Sequence, residues 1–264
     1  MRSVPATTTP AGTTVHYEVI GDGAPVVLVH GLAESGEAWG TITDRLSATR
    51  RVIVVDLPGH GRSGAADSYD IVHMAADVAA VISAEGLDGV HVVGHSLGGA
   101  VVSALAASDV PVRSVVNVDQ PLKLDDFQES VQAVGAALRD PVSFADVMNT
   151  IFDSMAGDAL DASERDRLQE LRRLDQDVVL SVWSPLLDST RDALATRIEE
   201  MTRNIRCPYL AIHGIDPGPA YATWLEALAP GAIVEVWDGL GHYPHLVDPD
   251  RFVRRVEEFW AVSD

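Results

Sequence analysis

The stretch Gly94-His95-Ser96-Leu97-Gly98 constrains the fold of this chain more than any other segment. It lies between an apolar run at residues 90–93 and a run of small residues at 100–107, an order that predicts a strand, a tight turn and a helix. A serine on so sharp a turn needs neighbours two positions away with almost no bulk, and glycine meets this need on both sides. A helix that begins beneath the serine directs free N–H groups at any oxyanion formed there. We therefore predict a nucleophilic Ser96 at the apex of the turn.

Short β-branched runs alternate with longer helical patterns along most of the chain. The apolar runs are continuous, as is typical of parallel strands buried on both faces. The predicted strands cover residues 15–19 (as an edge strand), 26–30, 52–55, 90–93, 115–118, 209–213 and 233–237. The predicted helices cover residues 39–48, 71–84, 97–107, 219–229 and 252–261. This alternation predicts a parallel sheet with helices on both faces.

Residues 122–206 interrupt this alternation. The segment has no convincing strand pattern and is rich in Asp, Glu, Arg, Leu and Ala, so we interpret it as several short helices. We predict a core formed by residues 1–121 and 207–264, with residues 122–206 as a helical cap. Such a cap would cover the carboxyl edge of the sheet, where open α/β sheets bind ligands. The alternative is an ordinary helical subdomain that has no role in substrate choice.

Apolar side chains of the cap are candidates for a substrate pocket. The residues assigned to substrate binding are Phe127, Met148, Phe152, Trp183 and Leu186 in the cap and Gly31 in the core. At helical spacing the same cap residues are also expected in the interior of the cap itself. The cap contains no basic cluster, which favours an uncharged, mostly apolar substrate.

Composition and charge exclude several classes of function. The 264 residues are 47% hydrophobic and 22% charged, which suits one α/β domain with an insertion. A net charge of −20 disfavours binding to nucleic acid or to an anionic membrane. Residues 1–12 lack the apolar region of a signal peptide, and no apolar run reaches the roughly 18 residues that span a membrane. We expect a soluble cytoplasmic protein with a small-molecule partner; the oligomeric state is not encoded in any pattern we recognise.

A serine nucleophile requires a general base, and in this topology the base comes late in the chain. His242 follows Gly241 between the last predicted strand and the last predicted helix, and we assign it as the base. His245 is the competing candidate, but its position after a proline favours a structural role. The histidines do not form a metal-binding pattern such as H-E-x-x-H, so neither a metal nor a cofactor is expected.

The oxyanion hole is predicted from two backbone N–H groups. Gly31 lets the chain bend after the second apolar run, so that the N–H of Leu32 faces the pocket. Leu97 directly follows the nucleophile and supplies the second N–H.

Together these motifs resemble the α/β-hydrolase family. The resemblance rests on His30-Gly31, on residues 56–63, on residues 94–99 and on Gly241-His242, which occur in the order typical of the family. It implies a mostly parallel α/β-hydrolase sheet covered by helices on both faces, with a helical cap inserted after the sixth strand. It also implies that residues 56–63 form a structural turn outside the site.

The acid of the triad has two candidates. The family usually places it in a Gly-x-x-Asp turn after the penultimate strand, but here Gly214-Ile215-Asp216 is one residue shorter. Some members take the acid from the end of the preceding strand, which in this chain is Asp119. Residues 119–124 also show a loose similarity to the corresponding stretch of fungal zearalenone lactonases, whose acid lies at this position. The sequence does not decide whether Asp119 or Asp216 is the acid.

These observations predict a cofactor-free serine hydrolase that cleaves a carboxylic ester or lactone through an acyl-enzyme on Ser96. Haloalkane dehalogenases and epoxide hydrolases of the family carry aspartate at the elbow, so the serine argues against both. Carbon–carbon bond hydrolysis, perhydrolysis and hydroxynitrile lyase chemistry use the same triad, and a non-catalytic ligand receptor can share the scaffold.

Overall fold

One mixed, mostly parallel sheet forms the centre of the protein. The structure, a computed structural model, describes residues 2–262. Over this range the strands are β1 (Arg2–Ser3), β2 (Ala6–Thr8), β3 (Thr14–Ile20), β4 (Ala24–Val29), β5 (Arg50–Val55), β6 (Val90–His95), β7 (Val112–Val118), β8 (Tyr209–His213) and β9 (Ile233–Val236). Their order is β1-β3-β5-β4-β6-β7-β8-β9, and β2 pairs with β3. Strand β3 is antiparallel to its neighbours. The six strands β4 to β9 run parallel to one another.

Helices cover both faces of this sheet and form the insertion. Within the described residues they are α1 (Thr41–Leu46), α2 (Ile71–Ala84), α3 (Leu97–Ala106), α4 (Asp125–Ala133), α5 (Gly135–Arg139), α6 (Phe144–Ala156), α7 (Ala162–Leu171), α8 (Gln176–Asp188), α9 (Arg191–Thr202), α10 (Tyr221–Leu228), α11 (Pro244–Val247) and α12 (Pro249–Trp260), with a 3-10 helix at Gly36–Trp39. None of the helices described over residues 2–262 has both the length and the apolar character that crossing a membrane requires.

The central strands are buried on both sides, as their continuous apolar runs predict. In β4 the side chains of Val26 and Leu28 belong to one hydrophobic cluster, whereas Val27 and Val29 belong to the other. The first cluster is completed by residues of α1 and α12. Helix α12 presents the apolar stripe Phe252, Val256, Phe259 and Trp260 at helical spacing. The second cluster joins α2, α3 and α10 to the cap.

The predicted cap segment consists of helices α4 to α9 between β7 and β8. Its contacts place it over the carboxyl ends of the strands: the N–H of Arg173 donates to the carbonyl of Ala33 just beyond β4 (2.9 Å). The cap follows the seventh strand and not the sixth: five strands predicted from the apolar runs precede it, and the short strands β1 and β2 add two more. The sequence predicts an edge strand at residues 15–19. In the structure this strand, β3, is not outermost, because it pairs with β5 on one side and with β1 and β2 on the other.

Candidate active site

Ser96 occupies a strained turn between β6 and α3. Its backbone angles are φ 51° and ψ −122°, a left-handed φ that an L-residue rarely adopts without a functional reason. The flanking glycines are required by close contacts: a Cβ on Gly94 would lie 2.1 Å from the Gly98 carbonyl oxygen, and one on Gly98 would lie 2.1 Å from that of Val29. The Ser96 N–H donates to the carbonyl of Val118 (2.9 Å), which ties the turn to the neighbouring strand.

Sheet register brings the serine next to one of the two candidate acids. His95 pairs with Val118 across the parallel strands β6 and β7, so the residues that follow, Ser96 and Asp119, leave the sheet side by side. Asp119 also has a left-handed φ of 51°. The two strained residues therefore lie at adjacent strand ends, at the carboxyl edge where ligands bind in such sheets.

The structure pairs His242 with Asp119. The Nδ1 atom of His242 lies 2.7 Å from Oδ2 of Asp119, and both side chains are buried. The other carboxylate oxygen, Oδ1, accepts the N–H groups of Gly214 (2.8 Å) and Ile215 (3.1 Å). The turn after β8 thus holds the Asp119 carboxylate in place. Asp216 of that turn is exposed, and its carboxylate accepts the N–H of Gly218 (2.8 Å).

The hydrogen bonds of Asp119 keep it ionised. Burial by itself raises the pKa of the carboxyl group, but the contacts with His242 and the Ile215 N–H outweigh burial and leave the pKa below its usual value. An ionised carboxylate only accepts hydrogen bonds, so Nδ1 of His242 carries a proton, and in the neutral form of the ring Nε2 has the free lone pair. His213, buried 3.9 Å from Asp119, has its pKa lowered to about 4, chiefly by burial. His213 is therefore uncharged at neutral pH and does not neutralise the negative charge of Asp119, which faces His242.

The loop that carries His242 is fixed to the cap and to the turn after β8. The N–H of His242 donates to the carbonyl of Met155 at the end of α6 (3.0 Å). Gly241 has a φ of 65°, and a Cβ there would lie 2.3 Å from the Ala156 carbonyl oxygen. A Cβ on Gly214 would lie 2.1 Å from the Gly241 carbonyl oxygen, so glycine is needed on both loops. His245 is buried and packs on Trp39 with ring centroids 5.0 Å apart.

The loop after β4 carries the first predicted oxyanion donor. His30 shapes it: Nδ1 donates to the carbonyl of Gly31 (2.7 Å), while Nε2 accepts the N–H of Leu57 (3.0 Å). Leu32 is buried, and Ala33 after it has a φ of 61°. Leu97, the second predicted donor, opens α3, and N–H groups in a first turn have no partner within their own helix.

Residues 56–63 form a structural turn away from the catalytic contacts. The carboxylate of Asp56 accepts the N–H groups of Gly36 (2.8 Å) and Arg62 (3.0 Å). The Ser63 hydroxyl donates to the Asp56 carbonyl (2.6 Å). His60 contacts the Pro58 carbonyl through Nδ1 (2.9 Å).

The cap residues that the sequence assigns to substrate binding pack in the hydrophobic cluster that joins the cap to the core. Four of them are 8% exposed or less and belong to the cluster that contains Leu32 and Leu97: Met148, Phe152, Trp183 and Leu186. Phe127 is half-buried and meets the Trp183 ring edge-on, with centroids 5.7 Å apart. Gly31 lies in the loop after β4, where a Cβ would come within 2.8 Å of the Glu34 carboxylate.

Glu34 is a buried side chain that the sequence motifs do not indicate. Its Oε2 atom accepts the N–H of Gly31 (3.0 Å), and its Oε1 atom accepts the hydroxyl of Tyr243 (2.9 Å). Burial raises the pKa of this carboxyl, but the contacts with His95 and Tyr243 outweigh it and hold the pKa well below its usual value. The available signal was weak: the stretch from Leu32 to Trp39 holds two acidic residues, Glu34 and Glu37, and no motif distinguishes the buried Glu34 from the exposed Glu37.

Comparison with known proteins identifies the family of this chain. The sequence profile of the alpha/beta hydrolase family matches residues 26–255. The chain belongs to the alpha/beta hydrolase family. Among solved structures it is similar to the esterase RhEst1 from Rhodococcus sp. ECU1013, with a TM-score of 0.75, 29% identity and coverage of 99% of this chain and 100% of that chain.

Two further hydrolases are similar over nearly the full length of this family member. Est816, described as an N-acyl homoserine lactone degrading enzyme, has a TM-score of 0.73 and 25% identity, with 97% of this chain and 100% of that chain covered. The pimeloyl-[acyl-carrier protein] methyl ester esterase of Aeromonas hydrophila is 27% identical over 260 residues, 93% of this chain and 99% of the relative.

Proposed function

We propose that this protein hydrolyses uncharged, mostly apolar carboxylic esters or lactones through an acyl-enzyme on Ser96, with no cofactor. The observation that supports the proposal most is the contact of His242 with the buried Asp119 carboxylate, beside the strained turn of Ser96. A serine, a histidine with a free Nε2 lone pair and an orienting carboxylate are the groups that acyl transfer requires.

In the first half of the proposed reaction, His242 Nε2 takes the proton of the Ser96 hydroxyl as Oγ attacks the carbonyl carbon. The N–H groups of Leu32 and Leu97 stabilise the oxyanion of the tetrahedral intermediate; losing one such donor typically costs roughly 3 kcal/mol. Asp119 stabilises the imidazolium. The intermediate collapses, the bond from carbon to the alkoxy oxygen breaks, and His242 protonates the leaving alcohol.

In the second half, His242 removes a proton from water, which attacks the acyl carbon. The ester bond to Ser96 breaks, the serine regains its proton and the carboxylic acid leaves. For a lactone the alcohol and the acid are two ends of one product, a hydroxy acid.

The choice of substrate rests on the cap. Its candidate lining is apolar, with Met148, Phe152 and Trp183 in the same cluster as both oxyanion residues. Two similar structures support the same direction, since one is described as an esterase and the other as an N-acyl homoserine lactone degrading enzyme. We therefore propose a neutral, apolar acyl or alcohol part.

The experiment that tests the proposal measures turnover of p-nitrophenyl butyrate by wild type, Ser96→Ala and Ser103→Ala. We expect Ser96→Ala to lose at least about 10⁴-fold in kcat. Ser103 is the matched control: it is buried in α3, the helix that follows Ser96, and its hydroxyl donates to the Gly99 carbonyl (2.6 Å). Equal activity of wild type and Ser96→Ala would refute the proposed nucleophile.

The substrate class is tested with a neutral ester, a neutral N-acyl lactone and an ester whose acyl chain ends in a carboxylate. We expect the anionic ester to be the poorest by kcat/KM, and faster turnover of it would contradict the apolar assignment. Product analysis distinguishes an acid plus an alcohol from carbon–carbon cleavage. Saturable binding with no turnover in any arm would instead identify a receptor.

A further inference from the structure

The buried Glu34 carboxylate joins the three segments that carry the proposed chemistry. It accepts the N–H of Gly31 in the oxyanion loop (3.0 Å) and the hydroxyl of Tyr243, the residue after the base (2.9 Å). Its Oε2 atom also lies 3.5 Å from Nδ1 of His95, the residue before the nucleophile. Only 7% of Glu34 is exposed, so these protein groups replace the water that a carboxylate otherwise binds.

His95 extends this contact to the base itself. Its Nε2 atom lies 2.8 Å from the carbonyl oxygen of His242. A carbonyl oxygen only accepts hydrogen bonds, so Nε2 carries a proton and donates it. The His95 ring packs against the rings of His242 (centroids 4.7 Å apart) and Tyr243 (4.9 Å). The main chain and the ring of His242 are thus both held by the residue that precedes Ser96.

We propose that Glu34 and His95 act as a pair of positioning residues, which fix the His242 loop and the Gly31 loop relative to Ser96. This inference rests on the proposed function, because it concerns the geometry of the same reaction. Neither side chain is expected to touch the substrate.

Packing alone does not explain a carboxylate at this place. Burying an ion is unfavourable, and an apolar side chain of similar volume fills such a site at lower cost. The partners of Glu34 are also specific, since each belongs to a segment next to a reacting group. Misplacing a reacting group by about 1 Å can lower a rate by about 10²-fold, which gives such a pair a catalytic value beyond stability.

The first test compares Glu34→Gln, Glu34→Leu, His95→Gln and His95→Leu on p-nitrophenyl butyrate. We expect the two leucine variants to lose about 10- to 100-fold in kcat, with KM changed by less than about threefold. The amide of His95→Gln can still donate to the His242 carbonyl, so it should recover most of the kcat that His95→Leu loses. Glu34→Gln keeps the volume and removes the charge, and it serves if Glu34→Leu does not fold.

His91→Gln is the matched control. His91 is a buried histidine on the same strand, four residues before His95, with Nδ1 2.7 Å from the Ser114 hydroxyl. We expect this variant to lose stability while kcat stays within about twofold of wild type. If the Glu34 and His95 variants lose no more kcat than His91→Gln, the pair is structural only and the inference is wrong.

A second readout does not depend on turnover. The Nδ1 proton that His242 shares with Asp119 should give a downfield proton resonance, identified by its loss in Asp119→Asn. We expect this resonance to broaden or shift in folded His95→Leu and to stay unchanged in His91→Gln. If wild type shows no turnover that depends on Ser96, the proposed function fails, and this resonance alone decides the positioning role: an unchanged signal in His95→Leu would overturn it.

Discussion

The replacement Asp119→Asn tests how the acid acts, because it removes a charge and leaves the shape nearly unchanged. The carbonyl oxygen of the asparagine can accept the N–H groups of Gly214 and Ile215, as Oδ1 does now at 2.8 and 3.1 Å. Its NH₂ group then faces Nδ1 of His242, at the position where Oδ2 lies 2.7 Å away. Two donors cannot face each other, so His242 must move its proton to Nε2.

The wrong tautomer removes the general base. With Nε2 protonated, His242 has no lone pair for the Ser96 hydroxyl, and the imidazolium that forms later has no counter-charge. The same change in a serine protease triad lowers kcat about 10⁴-fold, or roughly 5 kcal/mol of activation free energy. We expect a loss of this size for Asp119→Asn, with KM nearly unchanged.

The assay is steady-state hydrolysis of p-nitrophenyl butyrate at matched folding, judged by circular dichroism and thermal melting. Asp216→Asn is the control, since Asp216 is an exposed carboxylate that accepts the Gly218 N–H. We expect its kcat to stay within about twofold of wild type. The reasoning fails if Asp119→Asn keeps more than about a tenth of the activity, or if Asp216→Asn loses as much as Asp119→Asn does.

Two further predictions concern the fold around the site. Gly98→Ala places a Cβ 2.1 Å from the Val29 carbonyl oxygen, so the backbone must move, and we expect a lower melting temperature and a large loss of kcat. Gly86→Ala has open space around its Cβ but a left-handed φ of 64°, so it should lower the melting temperature and keep kcat. His60 is buried with a pKa lowered to about 4, so between pH 6.5 and 4 the unfolded chain binds the proton and the folded chain does not. Stability should fall over this window as pH decreases, by about 3 kcal/mol from this group. Urea unfolding at pH 7 and pH 4.5 should show a smaller decline for His60→Asn; an equal decline would contradict it.

The turn that carries the proposed nucleophile could be predicted from the sequence because it depends on local contacts. Gly94 and Gly98 must be glycine to let one strand and one helix approach, and that requirement appears as a spacing of two residues around Ser96. The strands β4 to β8 could be predicted for a similar reason, since burial on both faces leaves continuous apolar runs. The two short strands β1 and β2 carry no such signal, because two or three residues show neither a run nor an alternation.

The acid could not be chosen from the sequence because its identity depends on register. Asp119 meets His242 across 123 residues of chain, after β7 aligns Val118 with His95 of β6. Its left-handed backbone and the two N–H groups beyond β8 complete the site, and neither leaves a mark on the local sequence. Glu34 was missed for the same reason: its bond to Tyr243 joins residues 209 positions apart.

Two hydrogen bonds connect the cap to the loops that carry the proposed catalytic groups. The carbonyl of Met155, at the end of cap helix α6, holds the N–H of His242 (3.0 Å), and the N–H of Arg173 holds the carbonyl of Ala33 beside the oxyanion loop (2.9 Å). The proposed base and the loop of the first proposed oxyanion donor are therefore each hydrogen-bonded to a cap segment. A change in the cap that only alters the shape of the pocket should appear in KM, because it changes binding of substrate and transition state alike. A change that displaces α6 or the segment around Arg173 moves reacting groups, so it should appear in kcat. Whether a cap substitution changes KM or kcat should therefore depend on which segment it disturbs and not on its distance from Ser96.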